Sequence, residues 1–204
     1  MMNAMGHPRR RTGMLVAVAA LAAGCSTGSP TEQQRTQEPE SAALRVVTVS
    51  GAERLDEQTR TEIEGEVGDV LSDYVFEAFL GEFPRQRFVQ AFSSFTSYAA
   101  RDATADIGKL TAESVRDATA VRATELDARL SFLTRGGTVH AGSAAVHFTF
   151  EATMQDGSTR PLVLDGRFLL DGEGGTWAIF GYDVTFDNGK GVAAESSADN
   201  EEDS

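Results

Sequence analysis

Residues 125–132 read ELDARLSF and residues 146–152 read VHFTFEA, and the two stretches share one pattern. In the first, Leu126, Ala128, Leu130 and Phe132 alternate with Glu125, Asp127, Arg129 and Ser131. In the second, Val146, Phe148, Phe150 and Ala152 alternate with His147, Thr149 and Glu151. A period of two sends successive side chains to opposite faces, so both stretches are strands with one apolar and one polar face. Two further runs follow, over 162–170 and 177–186. The turn signals Arg135-Gly136-Gly137, Asp156-Gly157-Ser158 and Asp171-Gly172-Glu173-Gly174-Gly175 join the four runs into an antiparallel meander.

Upstream of residue 120 the period changes to that of a helix. Ile63, Val67, Val70, Leu71, Tyr74 and Ala78 recur at steps of three and four, Thr59 and Glu62 have the spacing of a capping box, and Gly81 closes the segment. Pro84 suits the first turn of a second helix that carries Phe88, Phe92, Phe95 and Ala99 on one stripe. A third, short helical piece is expected over 111–118 with Thr111 as its cap. Residues 44–49, with the β-branched run Val46-Val47-Thr48-Val49, read as a short leading strand, and their pattern does not say which face is buried. The expected fold is α+β, with N-terminal helices packed on a curved four-stranded antiparallel sheet over residues 44–190.

The flanks have a different character. Residues 1–24 combine Arg9, Arg10 and Arg11, an apolar run over 14–23 and a small-residue end, the layout of a secretory signal too short to span a bilayer. The end of that segment, Leu21-Ala22-Ala23-Gly24-Cys25, resembles a bacterial lipobox, which implies lipidation of Cys25 and attachment to the outer face of the cell membrane. Two or three acyl chains anchor stably because each buried methylene contributes about 0.8 kcal/mol. Cleavage after Ala22 is the alternative, giving a secreted protein with a free thiol. Residues 26–43 are polar and Pro-containing and read as a flexible tether behind Cys25; residues 191–204 read as a disordered acidic tail.

The chain has 204 residues, 41% of them hydrophobic and 24% charged, with a formal net charge of −13, which suits one domain with a packed core plus tails. A single Cys excludes a disulfide framework. Its two lysines, Lys109 and Lys190, give no clustered basic patch, so no nucleic-acid partner is expected. An acidic surface repels anionic headgroups, so membrane attachment must come from the lipid.

A Phe-bearing helical half leading into four long strands resembles the nuclear transport factor two-like superfamily, whose members form a cone with a pocket between helices and sheet. Residues 175–184, GTWAIFGYDV, are similar to the last strand of such domains in secreted actinobacterial proteins, and the preference for Arg over Lys suits a GC-rich source. The resemblance implies a pocket lined by Phe88, Phe92 and Phe95 from the helices and by Phe148, Phe150, Trp177 and Tyr182 from the sheet. Core packing accounts for the same residues. It also implies an open sheet face that commonly pairs with a second copy, hence a homodimer.

Catalytic and metal chemistry is thinly represented. His140 and His147 lie seven apart on one strand and face opposite ways unless a bulge at Gly142 intervenes, and no Cys is available beside them, so no metal site and no cofactor are expected. Asp165, Arg167 and Glu151 are adequately explained as cross-strand ion pairs. Enzymes of the resembled superfamily, such as ketosteroid isomerase, limonene epoxide hydrolase and scytalone dehydratase, place Asp, Tyr, Arg or His in the pocket. No such set aligns residue by residue here, and Asp183 beside Tyr182, with His147, are the catalytic candidates. Phosphate loops, a Gly-x-Ser-x-Gly elbow and a His-Glu-x-x-His helix do not occur. These observations lead to a non-enzymatic envelope lipoprotein whose domain binds a partner protein or a small apolar ligand; the alternative is an isomerase- or hydrolase-like enzyme.

Overall fold

The computed structural model describes residues 40–53, 55–172 and 175–190. Cys25, the signal segment, the tether up to residue 39 and the 191–204 tail lie outside the described residues. The domain is α+β, and its sheet has five strands rather than the expected four: β1 (Arg45–Ser50), β2 (Ala120–Arg135), β3 (Thr138–Thr153), β4 (Thr159–Asp171) and β5 (Ala178–Asp187). They lie in sequence order and the sheet does not close on itself.

The meander β2 to β5 is antiparallel throughout. The leading strand β1 joins it in parallel at the β2 edge, which makes the sheet mixed and corrects the all-antiparallel expectation. The helices described here lie between β1 and β2 in sequence, and such a crossover is what parallel pairing requires. β2 and β3 are sixteen residues each, longer than their alternating stretches, because residues 120–123 pair with 150–153. Their two-residue turn, Gly136-Gly137, has φ of 62° and 82°, the conformation that two-residue hairpins favour and that glycine adopts without a Cβ penalty.

Helix α1 spans Glu57–Phe79. Its cap is Asp56, three residues before the capping box expected at Thr59: the Asp56 carboxylate accepts the Thr59 N–H at 2.9 Å and the Thr59 hydroxyl at 2.8 Å. The acid wins because it satisfies a first-turn N–H and adds favourable charge at the positive helix end. The same two bonds hold the Asp56 pKa below its ordinary value. The face expected to be buried is buried, through Val67, Leu71, Tyr74 and Ala78, and Gly81 follows the helix at φ 84°.

The second expected helix does not form as one element. Pro84 lies in an irregular stretch, a 3-10 turn covers Val89–Ser94, and the α-helix α2 covers Ser97–Ala105 with Thr96 as its cap. Between them Phe95 and Thr96 are extended: Phe95 bridges Ile179 on β5, and the Thr96 N–H donates to the Ile179 carbonyl at 2.8 Å. This tertiary hydrogen bond wins over the helical stripe of Phe residues. The third expected piece shortens to a 3-10 turn, Ala112–Val115, with Thr111 as its cap, preceded by the one-turn helix α3 (Ile107–Leu110).

The core lies between α1 with its neighbouring turns and the apolar face of the sheet. Tyr74 is fully buried and contacts the rings of Phe79, Phe95 and Phe168 at 6.2, 5.7 and 5.0 Å; Phe79 stacks on Phe150 at 4.4 Å. The other sheet face is exposed and carries the polar residues that the alternation predicts, but also the exposed apolar side chains Val47, Val49, Leu133 and Leu169.

Candidate functional site

Six of the seven aromatic residues expected to line a pocket are buried in one core cluster, and the seventh, Tyr182, packs against it. Phe88, Phe92, Phe95, Phe148 and Phe150 are buried core side chains. Phe92 and Phe95 meet edge-on at 5.4 Å, Phe95 reaches Tyr182 at 6.2 Å, Phe150 is stacked on Phe79, and Phe88 carries the Arg85 guanidinium 5.1 Å above its ring. Tyr182 is half-buried and donates its hydroxyl to Asp106 at 3.1 Å. Burial first, and then the bond to Asp106, push the Tyr182 pKa up to about 12, so its proton stays on the phenol at neutral pH.

Trp177, 8% exposed, belongs to the same core. It immediately precedes β5 rather than starting it, tilts against Phe132 at 5.9 Å, and donates its indole N–H to the Glu66 carboxylate of α1 at 3.1 Å. A Cβ on Gly172 would come within 2.8 Å of the indole, so the chain there has to be glycine for the ring to sit as it does. At this end of the sheet lies a groove of about 580 Å3. Its walls are Thr59, Ile63 and Glu66 from α1, the β2–β3 turn with Val139 and His140, and Trp177. Thr59, Ile63 and Glu66 share one helix face through steps of four and three, and the Asp56 cap fixes where that face begins. Ile63, Val139 and Trp177 give the groove an apolar side, while Glu66 and His140 give it hydrogen-bonding groups. An apolar wall and a few polar groups thus meet at one open groove.

The two histidines among the described residues differ in position. Pairing of Leu133 with Ala141 and of Thr134 with Val139 places the strand irregularity at His140, not at Gly142. His140 lines the groove, whereas His147 stands on the exposed sheet face. There a register row crosses the sheet: Arg45, Asp127, His147, Asp165 and Thr185. Asp127 takes a bidentate contact from Arg45, with the Arg45 Nε–H at 2.7 Å, and His147 Nδ1 lies 2.6 Å from Asp165. Glu151 pairs with Arg122 at 2.8 Å, and Arg167 faces Asp183 across β4 and β5. Of the ion pairs expected for Asp165, Arg167 and Glu151, that of Glu151 is present, that of Asp165 exists while His147 is protonated, and Arg167 forms none among the described residues. Asp183 is exposed on this outer face while its neighbour Tyr182 turns to the helical side, so strand parity separates the two catalytic candidates. Among the described residues, no three His, Cys, Asp or Glu converge as a metal site.

The Asp165 hydrogen bond raises the His147 pKa above 6.5, with Glu125 and Asp127 adding to it. The charged form is the one favoured by folding, so this stabilisation is fully present below the unfolded value and disappears as pH rises through the higher folded value. Asp165→Asn is therefore expected to lower the His147 pKa in an NMR titration. The gap in Tm between the parent and the variant should be wider near about pH 5.5 than near about pH 8.5. Equal gaps at the two pH values would show that the pair does not couple to folding.

No family model matches the chain. No curated protein and no solved structure is detectably similar to it either. Glu66, Val139 and the reach of Trp177 across to α1 carried no signal in the sequence, because residue 66 and residue 177 meet only in three dimensions. The single Trp next to a Gly-rich turn was the one hint the sequence offered.

Proposed function

We propose that this protein is an envelope lipoprotein whose single domain, nuclear transport factor two-like in architecture, binds a small, largely apolar ligand without turning it over. Lipid on Cys25 holds it at the outer face of the cell membrane, and the polar stretch over 26–43 sets the domain off the bilayer. The observation that carries the binding reading is the groove in which Trp177, Ile63 and Val139 face Glu66 and His140. A helical first half followed by a meander, with α1 packed on the apolar sheet face, supports the superfamily reading. Support for a non-catalytic role comes from the dispersal of ionisable groups: Tyr182 with Asp106, His147 with Asp165, and Glu66 with Trp177 occupy three different places.

Two measurements test this. Cys25→Ser is expected to move the protein from the membrane fraction to the medium, and unchanged membrane retention would refute lipidation. Native mass spectrometry of the protein purified from an actinobacterial host is expected to show an extra mass that is lost on denaturation. A bare chain, monomeric or paired, would redirect the reading towards a protein partner.

A further inference from the structure

The groove has a charge character that its apolar lining conceals, and this permits a narrower statement about its ligand, resting on the binding role proposed above. Glu66 is exposed at the wall and uses one carboxylate oxygen, Oε2, to accept the indole N–H of Trp177. None of the ion pairs among the described residues involves Glu66. Arg and Lys are absent from the described residues that line the groove. One turn before Glu66 on α1 is Glu62 and one turn after it is Asp69; both are exposed and lie outside the groove lining, so Glu66 stands at the edge of an anionic stretch of helix in a protein of net charge −13. A recess whose lining carries a single carboxylate and no Arg or Lys favours ligands of the opposite sign.

The chemistry of covering Glu66 decides the class. A ligand lying along Ile63, Val139 and Trp177 removes water from the Glu66 carboxylate, which is unfavourable unless the ligand brings its own positive charge or a strong donor. An anionic ligand would meet that carboxylate head-on, and a purely apolar one would leave it unpaired. A protonated amine supplies both the charge and the N–H donors, and the indole is the side-chain ring that attracts cations best. We infer that the groove binds an amphipathic ammonium ion, an aryl- or alkylamine whose apolar body rests on Ile63, Val139 and Trp177 and whose protonated nitrogen is held by Glu66.

Trp177 is the only Trp in the chain, so all indole fluorescence comes from this one position at the groove wall. The test titrates the full-length protein with three probes of one shape and different charge: phenethylamine, phenethyl alcohol and 3-phenylpropanoate. Phenethylamine is expected to change the Trp177 emission saturably and to bind about tenfold or more tightly than the other two, the scale of a charge-assisted hydrogen bond. Added salt should narrow the difference. Glu66→Gln keeps an acceptor for the indole N–H and removes the charge, so it should bring phenethylamine down to the level of the alcohol. Thr138→Arg, which adds a cation at the exposed rim without touching Trp177, should weaken phenethylamine alone and keeps the test decisive if Glu66→Gln fails to fold. If the alcohol or the carboxylate binds as tightly as the amine, the ammonium assignment is overturned while the groove remains a binding site. If none of the three alters the emission and the native mass is bare, the groove reading falls with it.

Discussion

Tyr74→Ala is expected to lower the free energy of unfolding by about 3–5 kcal/mol, the range for deleting a large aromatic side chain from a core. A small domain has about 5–15 kcal/mol in total, so this one change should bring the protein close to unfolding at growth temperature. The reason is local. Tyr74 is fully buried, touches three other rings, and donates its hydroxyl to the Leu110 carbonyl at 2.7 Å, where α3 ends. That bond ties α1 to the turn that leads into β2. Tyr74→Phe keeps the ring and loses only the bond, and should cost about 0.5–1.5 kcal/mol. Urea unfolding distinguishes the two through the shift in midpoint at constant slope. A Tyr74→Ala loss no larger than that of Tyr74→Phe would mean that the surrounding rings close the cavity. The same helix carries Ile63 and Glu66, so loss of its docking should also change the emission of Trp177.

The second large effect is expected at Gly166, in the middle of β4. Its φ is 142°, and a Cβ there would lie 2.2 Å from the Asp183 carbonyl oxygen and 2.6 Å from the Val184 Cα. No flexible side chain can give way, because both atoms belong to the backbone of β5. Gly166→Ala should therefore combine about 1–3 kcal/mol of backbone strain with about 1–3 kcal/mol of overpacking. Its structural result would be displacement of β5 and of the Ile179 contacts that hold Phe95 and Thr96. Gly157 supplies the control, since it has φ of 80° and nothing within 4 Å of the position a Cβ would take. Gly157→Ala should show strain alone, about 1–2 kcal/mol. Equal losses at the two positions would show that the close approach of β4 and β5 relaxes freely.

Legibility in the sequence followed the range of the interaction. Leu126, Ala128, Leu130 and Phe132 declared a strand and its buried face because alternation is a property of adjacent residues, and each of them is buried. Val67, Leu71, Tyr74 and Ala78 declared α1 for the same reason at a period of 3.6. Phe88, Phe92 and Phe95 looked equally helical, yet the chain opens at Phe95 because Ile179, far away in sequence, offers a carbonyl to Thr96. The direction of β1 was illegible on similar grounds. A run of four β-branched residues pairs either way, and only the helices that intervene before β2 bring the chain back to the same end.

The candidate site divides in the same manner. Sequence pattern placed His147 on the polar face of its strand and gave Asp165 a cross-strand pair, and the register of adjacent strands is what brings the two to 2.6 Å. It did not bring Glu66 to Trp177, a pair separated by 111 positions. By itself the sequence determined the fold class, the two faces of the meander and the buried face of α1, because those depend on spacings within one element. Only the tertiary structure decided that the leading strand joins the sheet and does so in parallel, the break in the Phe-rich helix, and the groove that joins α1 to Trp177. Each of those is set by a hydrogen bond or a packing contact between residues that no local period relates.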